Sequence, residues 1–131
     1  MKTLIVEDDF TSRLLLQKLL TAYGECHIAV NGMEAVAAFR TAREEGRPYD
    51  LICLDIMMPI MNGHEALREI RTYEESIGLS SSEGVKVIIT TSLDDPRNVV
   101  GAFKSLCDSY IVKPISKANL LGQVRLLGLV P

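Results

Sequence analysis

Two hydrophobic periods alternate along this chain. Short apolar runs rich in β-formers occupy Leu4 to Val6, Cys26 to Val30, Leu51 to Leu54, Val85 to Thr90 and Tyr110 to Val112. Between them apolar residues recur every three or four positions, the spacing of a helix face. The first such stretch runs from Phe10 to Tyr23, carries Leu14, Leu15, Leu19 and Leu20, and stops at Gly24. The second follows Gly32 with Val36 and Phe39 inward, and the third follows Gly63 with Ala66, Leu67 and Ile70. The fourth opens in "DDPRN", where Asp95 suits the N-cap and Pro96 the first helical position, and continues through Val99, Phe103 and Leu106. The last begins at Ser116 and carries Leu120, Val124 and Leu127. The polar stretch "YEESIGLSSSEG", Tyr73 to Gly84, reads as the frayed end of the third helix and a surface connection.

Five strands alternating with five helices must lie parallel, because each helix returns the chain to the same end of the sheet. Parallel strands are covered on both faces, which explains continuous apolar runs where alternation might be expected. The expected fold is an α/β three-layer sandwich forming one domain over residues 1–131, long enough to bury about two thirds of its unfolded surface.

Composition narrows the function. A hydrophobic share of 47% beside 24% charged residues is that of a soluble globular protein. A net charge of -3 offers no basic field for nucleic acid. No apolar run is long enough to span a bilayer, and "MKTLIVEDD" runs from Met1 into a strand and then into acids, unlike a targeting peptide. Cys26, Cys53 and Cys107 lack a CxxC spacing and read as small buried hydrophobes in a reducing cytosol. His27 and His64 have no partner at a metal-ligand spacing.

The polar residues that remain fall in one place. Open parallel sheets bind ligands beyond the carboxyl ends of their strands. There stand Glu7, Asp8 and Asp9 after the first strand, Asp55 after the third, Thr91 and Ser92 at the end of the fourth, and Lys113 after the fifth. Singly, each has a plain alternative. Asp9 could cap the helix at Phe10, Asp55 could be a loop residue, Thr91 a strand residue and Lys113 a solvated surface group. Together they are the parts for phosphoryl transfer. Clustered carboxylates repel unless a hard cation such as Mg²⁺ joins them, and an ammonium and a hydroxyl can hold phosphoryl oxygens. Asp55, centrally placed within "LICLDIMMPIMNG", is the candidate nucleophile, forming an aspartyl phosphate.

With "LIVEDD", "DIMMPIMNG", "IITTS" and "YIVKP" in this order and spacing, the chain resembles the receiver domain of two-component response regulators, the family of the bacterial chemotaxis regulator. The resemblance implies a flavodoxin-like sheet in the order 2-1-3-4-5. It implies Asp55 as phosphoacceptor, Glu7 and Asp8 as the acidic pair, and the backbone carbonyl of Met57 as a further Mg²⁺ ligand. It also implies Thr91 as switch hydroxyl, Lys113 as phosphate-binding amine before a cis Pro114, and Tyr110 as switch aromatic. Phosphoryl groups would come from a histidine kinase or histidine phosphotransfer domain. Output would be control of a partner protein through the face of the fourth helix, fifth strand and fifth helix, in the cytoplasm. The end at Pro131 suggests a stand-alone receiver.

Three positions depart from the common pattern: Ser92 replaces Ala, and Met57 and Leu93 are both apolar where side chains influence water's approach to the phosphoryl group. Slow self-dephosphorylation is expected. Three rivals remain. A phosphatase would need a second Asp where Met57 stands. A flavin-binding module would need a Ser, Thr and Gly-rich loop where "EDDFTSR" stands. A receiver that is never phosphorylated would not need the full set of acids, hydroxyl and amine.

Overall fold

In a computed structural model of the chain, the structure describes residues 1–80, 82–92 and 106–131. Five strands, β1 (Thr3–Val6), β2 (Cys26–Ala29), β3 (Leu51–Asp55), β4 (Lys86–Thr91) and β5 (Ser109–Val112), form one sheet in the order β2-β1-β3-β4-β5. Every neighbouring pair is parallel, with Ile5 opposite both Ile28 and Cys53, and Cys53 opposite Ile88. The order reverses at β1, so the crevice between β1 and β3 opens at the carboxyl edge of the sheet, where ligands of such folds bind.

Four α-helices lie among the described residues: α1 (Phe10–Leu20), α2 (Gly32–Glu44), α3 (Gly63–Ser76) and α4 (Lys117–Leu126). α4 is the last of the five expected. The helix expected from Asp95 through Val99 and Phe103 lies outside the described residues, as does Leu93; Leu106 packs half-buried against the core.

Alternation along each strand sorts the core into two layers. Leu4, Val6, Ile52, Leu54, Val87 and Ile89 meet Val36, Phe39, Leu67 and Ile70 of α2 and α3. Ile5, Leu51, Cys53, Ile88 and Ile111 meet Leu16, Leu20, Leu120 and Val124 of α1 and α4. The three-layer sandwich is thus present. No helix among the described residues is long and apolar enough to cross a membrane.

Local chemistry sets the boundaries. The side chains of Asp9, Asn31, Asn62 and Ser116 each accept from a backbone N–H in the first turn of the following helix. Asn62 and Glu65 form a reciprocal capping box. Several boundaries differ from expectation. β3 runs one residue further than the apolar run and takes in Asp55, which pairs in register with Thr90. α1 tightens at Thr21 into a 3₁₀ turn through Tyr23 instead of continuing as an α-helix to Tyr23. The end of α3 is also anchored where fraying was expected. Glu74 is buried, pairs with Arg71 at 2.7 Å and accepts from the Val85 N–H at 2.7 Å.

Candidate functional site

The carboxyl ends of β1, β3, β4 and β5 deliver the site. Glu7 follows β1 directly and is fully buried, its N–H held by the Ala29 carbonyl of β2 at 3.0 Å. Asp8 is exposed, and one oxygen each of Glu7, Asp8 and Asp55 lie within 4.8 Å of one another. Asp55 ends β3 and is 5% exposed, so the reading of it as a surface loop residue does not hold.

Lys113 closes the arrangement from β5. Its Nζ lies 2.7 Å from Glu7 Oε1 and 3.6 Å from Asp55 Oδ1. Its own N–H donates to the Thr91 carbonyl at 2.7 Å, tying the end of β5 to the end of β4. The bond to Pro114 is cis, as the resemblance implies. Thr91 is buried, with its hydroxyl directed to the Ser92 carbonyl at 3.4 Å, a long contact for a hydroxyl donor. Tyr110 is 48% exposed on β5, and Met57 carries its side chain outward at 66% exposure.

Electrostatics follow from this crowding. Burial, then the charge of Glu7 and a hydrogen bond with it, push the Asp55 carboxyl up to about 7 against the pull of Lys113; Asp8 adds to the rise. Burial opposes the charge of Lys113, but its close contact with the Glu7 carboxylate and the charges of Asp55 and Asp9 outweigh it, and its pKa is raised. One ammonium faces two close carboxylates, so negative charge is left over. Glu7 Oε1 is enclosed and meets Lys113 as an ion contact without a well-directed hydrogen bond. A buried oxygen with capacity to spare, beside two further carboxylates, suits a hard divalent cation with oxygen ligands.

Asp9 is outside this group. Its side chain accepts from the Ser12 N–H at 2.9 Å, and that bond, above all, holds its carboxyl below the usual range. The register of "EDD" is thereby resolved: Glu7 and Asp8 face the site and Asp9 caps α1. Two contributors were not singled out from the sequence. Arg13 donates from Nη1 to the carbonyls of Glu7 at 3.2 Å and Asp8 at 3.5 Å, bracing the acidic pair from behind. Its place one turn into α1 was the available signal. Gly63 donates its N–H to the Ile56 carbonyl at 3.0 Å, and a Cβ there would stand 2.3 Å from the Asp55 carbonyl. Only a residue without a side chain lets α3 start so close to the acceptor strand.

Known proteins carry the same pattern. Residues 3–125 match the family model described as response regulator receiver domain. The probable transcriptional regulatory protein SilR of Salmonella typhimurium is 37% identical over 128 residues, covering 97% of this chain and 50% of its own length. The chain spans about half the length of the curated relatives it first matches. A chain in the co-crystal structure of the Saccharomyces cerevisiae histidine phosphotransfer protein Ypd1 with the receiver domain of its downstream response regulator Ssk1 superposes with a TM-score of 0.81. The two are 28% identical, with 98% of this chain and 88% of that chain aligned. A chain of the CheX–CheY–BeF3–Mg²⁺ complex from Borrelia burgdorferi superposes at 0.79, with 25% identity over 99% of this chain and 90% of that one. Receiver domains are the phosphoacceptor signalling domains of two-component systems, and this chain belongs to the response regulator receiver domain family.

Proposed function

We propose that residues 1–131 act as one receiver unit in which Asp55 accepts a phosphoryl group from a phosphohistidine donor. The observation that carries this is the seating of Lys113 Nζ 2.7 Å from Glu7 and 3.6 Å from Asp55, at the rim where three carboxylates converge. Glu7, Asp8, Asp55 and the Met57 carbonyl would hold Mg²⁺. When bound, Mg²⁺ offsets the carboxylate charge and that of the incoming phosphoryl oxygens. An Asp55 oxygen attacks phosphorus, the P–N bond to the donor imidazole breaks, and the imidazole leaves with its proton. Lys113 exchanges its contact with Asp55 for one with a phosphoryl oxygen. Thr91, turning from the Ser92 carbonyl, donates to another.

The added charge, about one and a half to two negative units, favours a second arrangement of Thr91 and Tyr110. A partner protein would read it on the face that includes β5 and α4. A histidine kinase or histidine phosphotransfer domain is the donor class, by analogy with the Ypd1–Ssk1 pair. The unit works in the cytoplasm, turns over no external substrate and makes no direct contact with nucleic acid.

Incubation with acetyl phosphate and Mg²⁺ should add one phosphoryl mass to the protein and none to Asp55→Asn; equal labelling of both would reject the assignment. Met57 offers no hydrogen bond to an attacking water, so Met57→Asn should lose the group faster than the unaltered protein. A decay no faster would remove the case for slow self-dephosphorylation.

A further inference from the structure

The loop between β3 and α3, residues 56–62, follows the acceptor strand and carries the Met57 carbonyl, yet little of it is held by the sheet. Ile56 is fixed by the Gly63 N–H at 3.0 Å, and Met61 turns back on Pro59 with a 2.8 Å N–H to carbonyl bond. Asn62 is fixed as the N-cap of α3. Ile56 is buried in the core, and the side chains of Met58 and Met61 pack half-buried against it. A further backbone anchor comes from another element. Gly32, the first residue of α2, donates its N–H to the Met61 carbonyl at 2.8 Å.

That N–H is one of the donors that a helix leaves without an internal partner. Here it is spent on a neighbouring loop instead of on water. The approach is too close for a side chain. A Cβ on Gly32 would stand 2.5 Å from the Met61 carbonyl oxygen, 2.8 Å from Met61 Cγ and 3.0 Å from the Asn62 carbonyl oxygen. Two of these three atoms are backbone, which cannot swing aside without shifting the loop. The start of α2 cannot yield either, since the Asn31 side chain accepts from Glu34 N–H at 2.9 Å and Glu34 in turn accepts from Val30 N–H at 3.0 Å.

We propose that Gly32 is a positioning residue for the phosphoacceptor site: its bare backbone docks α2 on Met61 and so fixes the loop that presents the Met57 carbonyl to the metal beside Asp55. This rests on the assignment of Asp55 and Mg²⁺ above. A methyl group at Gly32 displaces the loop by a fraction of an ångström or more, which separates a metal ligand from the carboxylates while leaving sheet and core in place.

The test compares the unaltered protein, Gly32→Ala and Gly122→Ala. A Cβ at Gly122, within α4, meets nothing within 4 Å, so it controls for a glycine-to-alanine change in a helix. Mg²⁺ affinity is read by calorimetry, and phosphorylation by acetyl phosphate is read by intact mass. Both are measured well below the melting temperature of each protein. Gly32→Ala should weaken Mg²⁺ binding and slow labelling by about tenfold or more, because sub-ångström displacement of reacting groups has effects of that size. Gly122→Ala should match the unaltered protein. Unchanged affinity and labelling in folded Gly32→Ala would overturn the role of Gly32 alone. An unaltered protein that neither binds Mg²⁺ nor gains the mass would overturn both readings. Should Gly32→Ala not fold, the unaltered protein carries the test. Its Gly32 amide should be protected from hydrogen exchange and should shift as Mg²⁺ is added. A freely exchanging or unresponsive Gly32 amide would overturn the proposal.

Discussion

Asp55 shows what one residue costs and what it gains. A carboxylate at the end of a buried strand, with Glu7 beside it, prefers to hold a proton, and burial with that neighbour lifts its pKa to about 7. In the absence of divalent metal the folded protein binds this proton more tightly than the unfolded chain does. Stability therefore falls as pH rises from the ordinary carboxylate range toward 7. Asp55→Asn should remove that slope and raise the stability of the metal-free protein at pH 7 by on the order of 1–2 kcal/mol. Thermal melts with and without Mg²⁺ check it. Added Mg²⁺ should stabilise the unaltered protein and leave Asp55→Asn nearly unmoved; an Asn variant less stable than its parent without metal would contradict the electrostatics described. The residue types at this rim were legible in the sequence because each departs from the apolar run before it. What each one does was less so: Asp9 and Asp8 look alike in "EDD", and only the turn into α1 sends one to a cap and the other to the site.

At the scale of elements, the opposite end of the sheet is held by a partly buried ionic clasp, in which Glu74 is the buried member. Arg71 of α3 pairs with Glu74 at 2.7 Å and Asp108 at 3.1 Å, and donates to the carbonyls of Leu106 at 2.9 Å and Val85 at 2.8 Å. Asp108 accepts from the Val87 N–H at 2.8 Å and Glu74 from that of Val85. One guanidinium thus joins α3, the start of β4 and the approach to β5. Glu74→Ala leaves the Val85 N–H without its carboxylate and Arg71 with one partner fewer. It should destabilise by about 2–3 kcal/mol in urea titrations, with Glu74→Gln costing less because it keeps an acceptor. A cost near zero for Glu74→Ala would mean the clasp is dispensable. The sequence reading missed this feature. Glu74 lies in a polar run that resembles any exposed helix end, and nothing local shows that the chain folds Val85 and Asp108 over it.

Across the whole molecule, strands covered on both faces leave Cys53 no exposure until the fold opens. Burial pushes its thiol up to about 12, and burial likewise raises the Tyr49 hydroxyl above its usual value. The unfolded chain releases the thiol proton near 9, so above that pH the native state binds more protons than the unfolded one and stability declines toward 12. Melting temperature should fall across that window, and Cys53→Ala should show a shallower fall from a lower starting point. An equal slope in both would place the alkaline sensitivity elsewhere.

The sequence by itself determined the α/β layering, the strands, most of the helices and the kinds of chemical group at the carboxyl edge. Those properties are written in local periodicity, in capping side chains and in the polar residues that end each apolar run, and local signals need no knowledge of distant contacts. Only the tertiary structure decided that β3 carries Asp55 inside the sheet, that Lys113 meets Glu7 more closely than Asp55, that Arg71 gathers three elements, and that Gly32 touches Met61. Each joins residues far apart in the chain, and their separation is set by how helices and sheet pack, a quantity that no window of sequence contains.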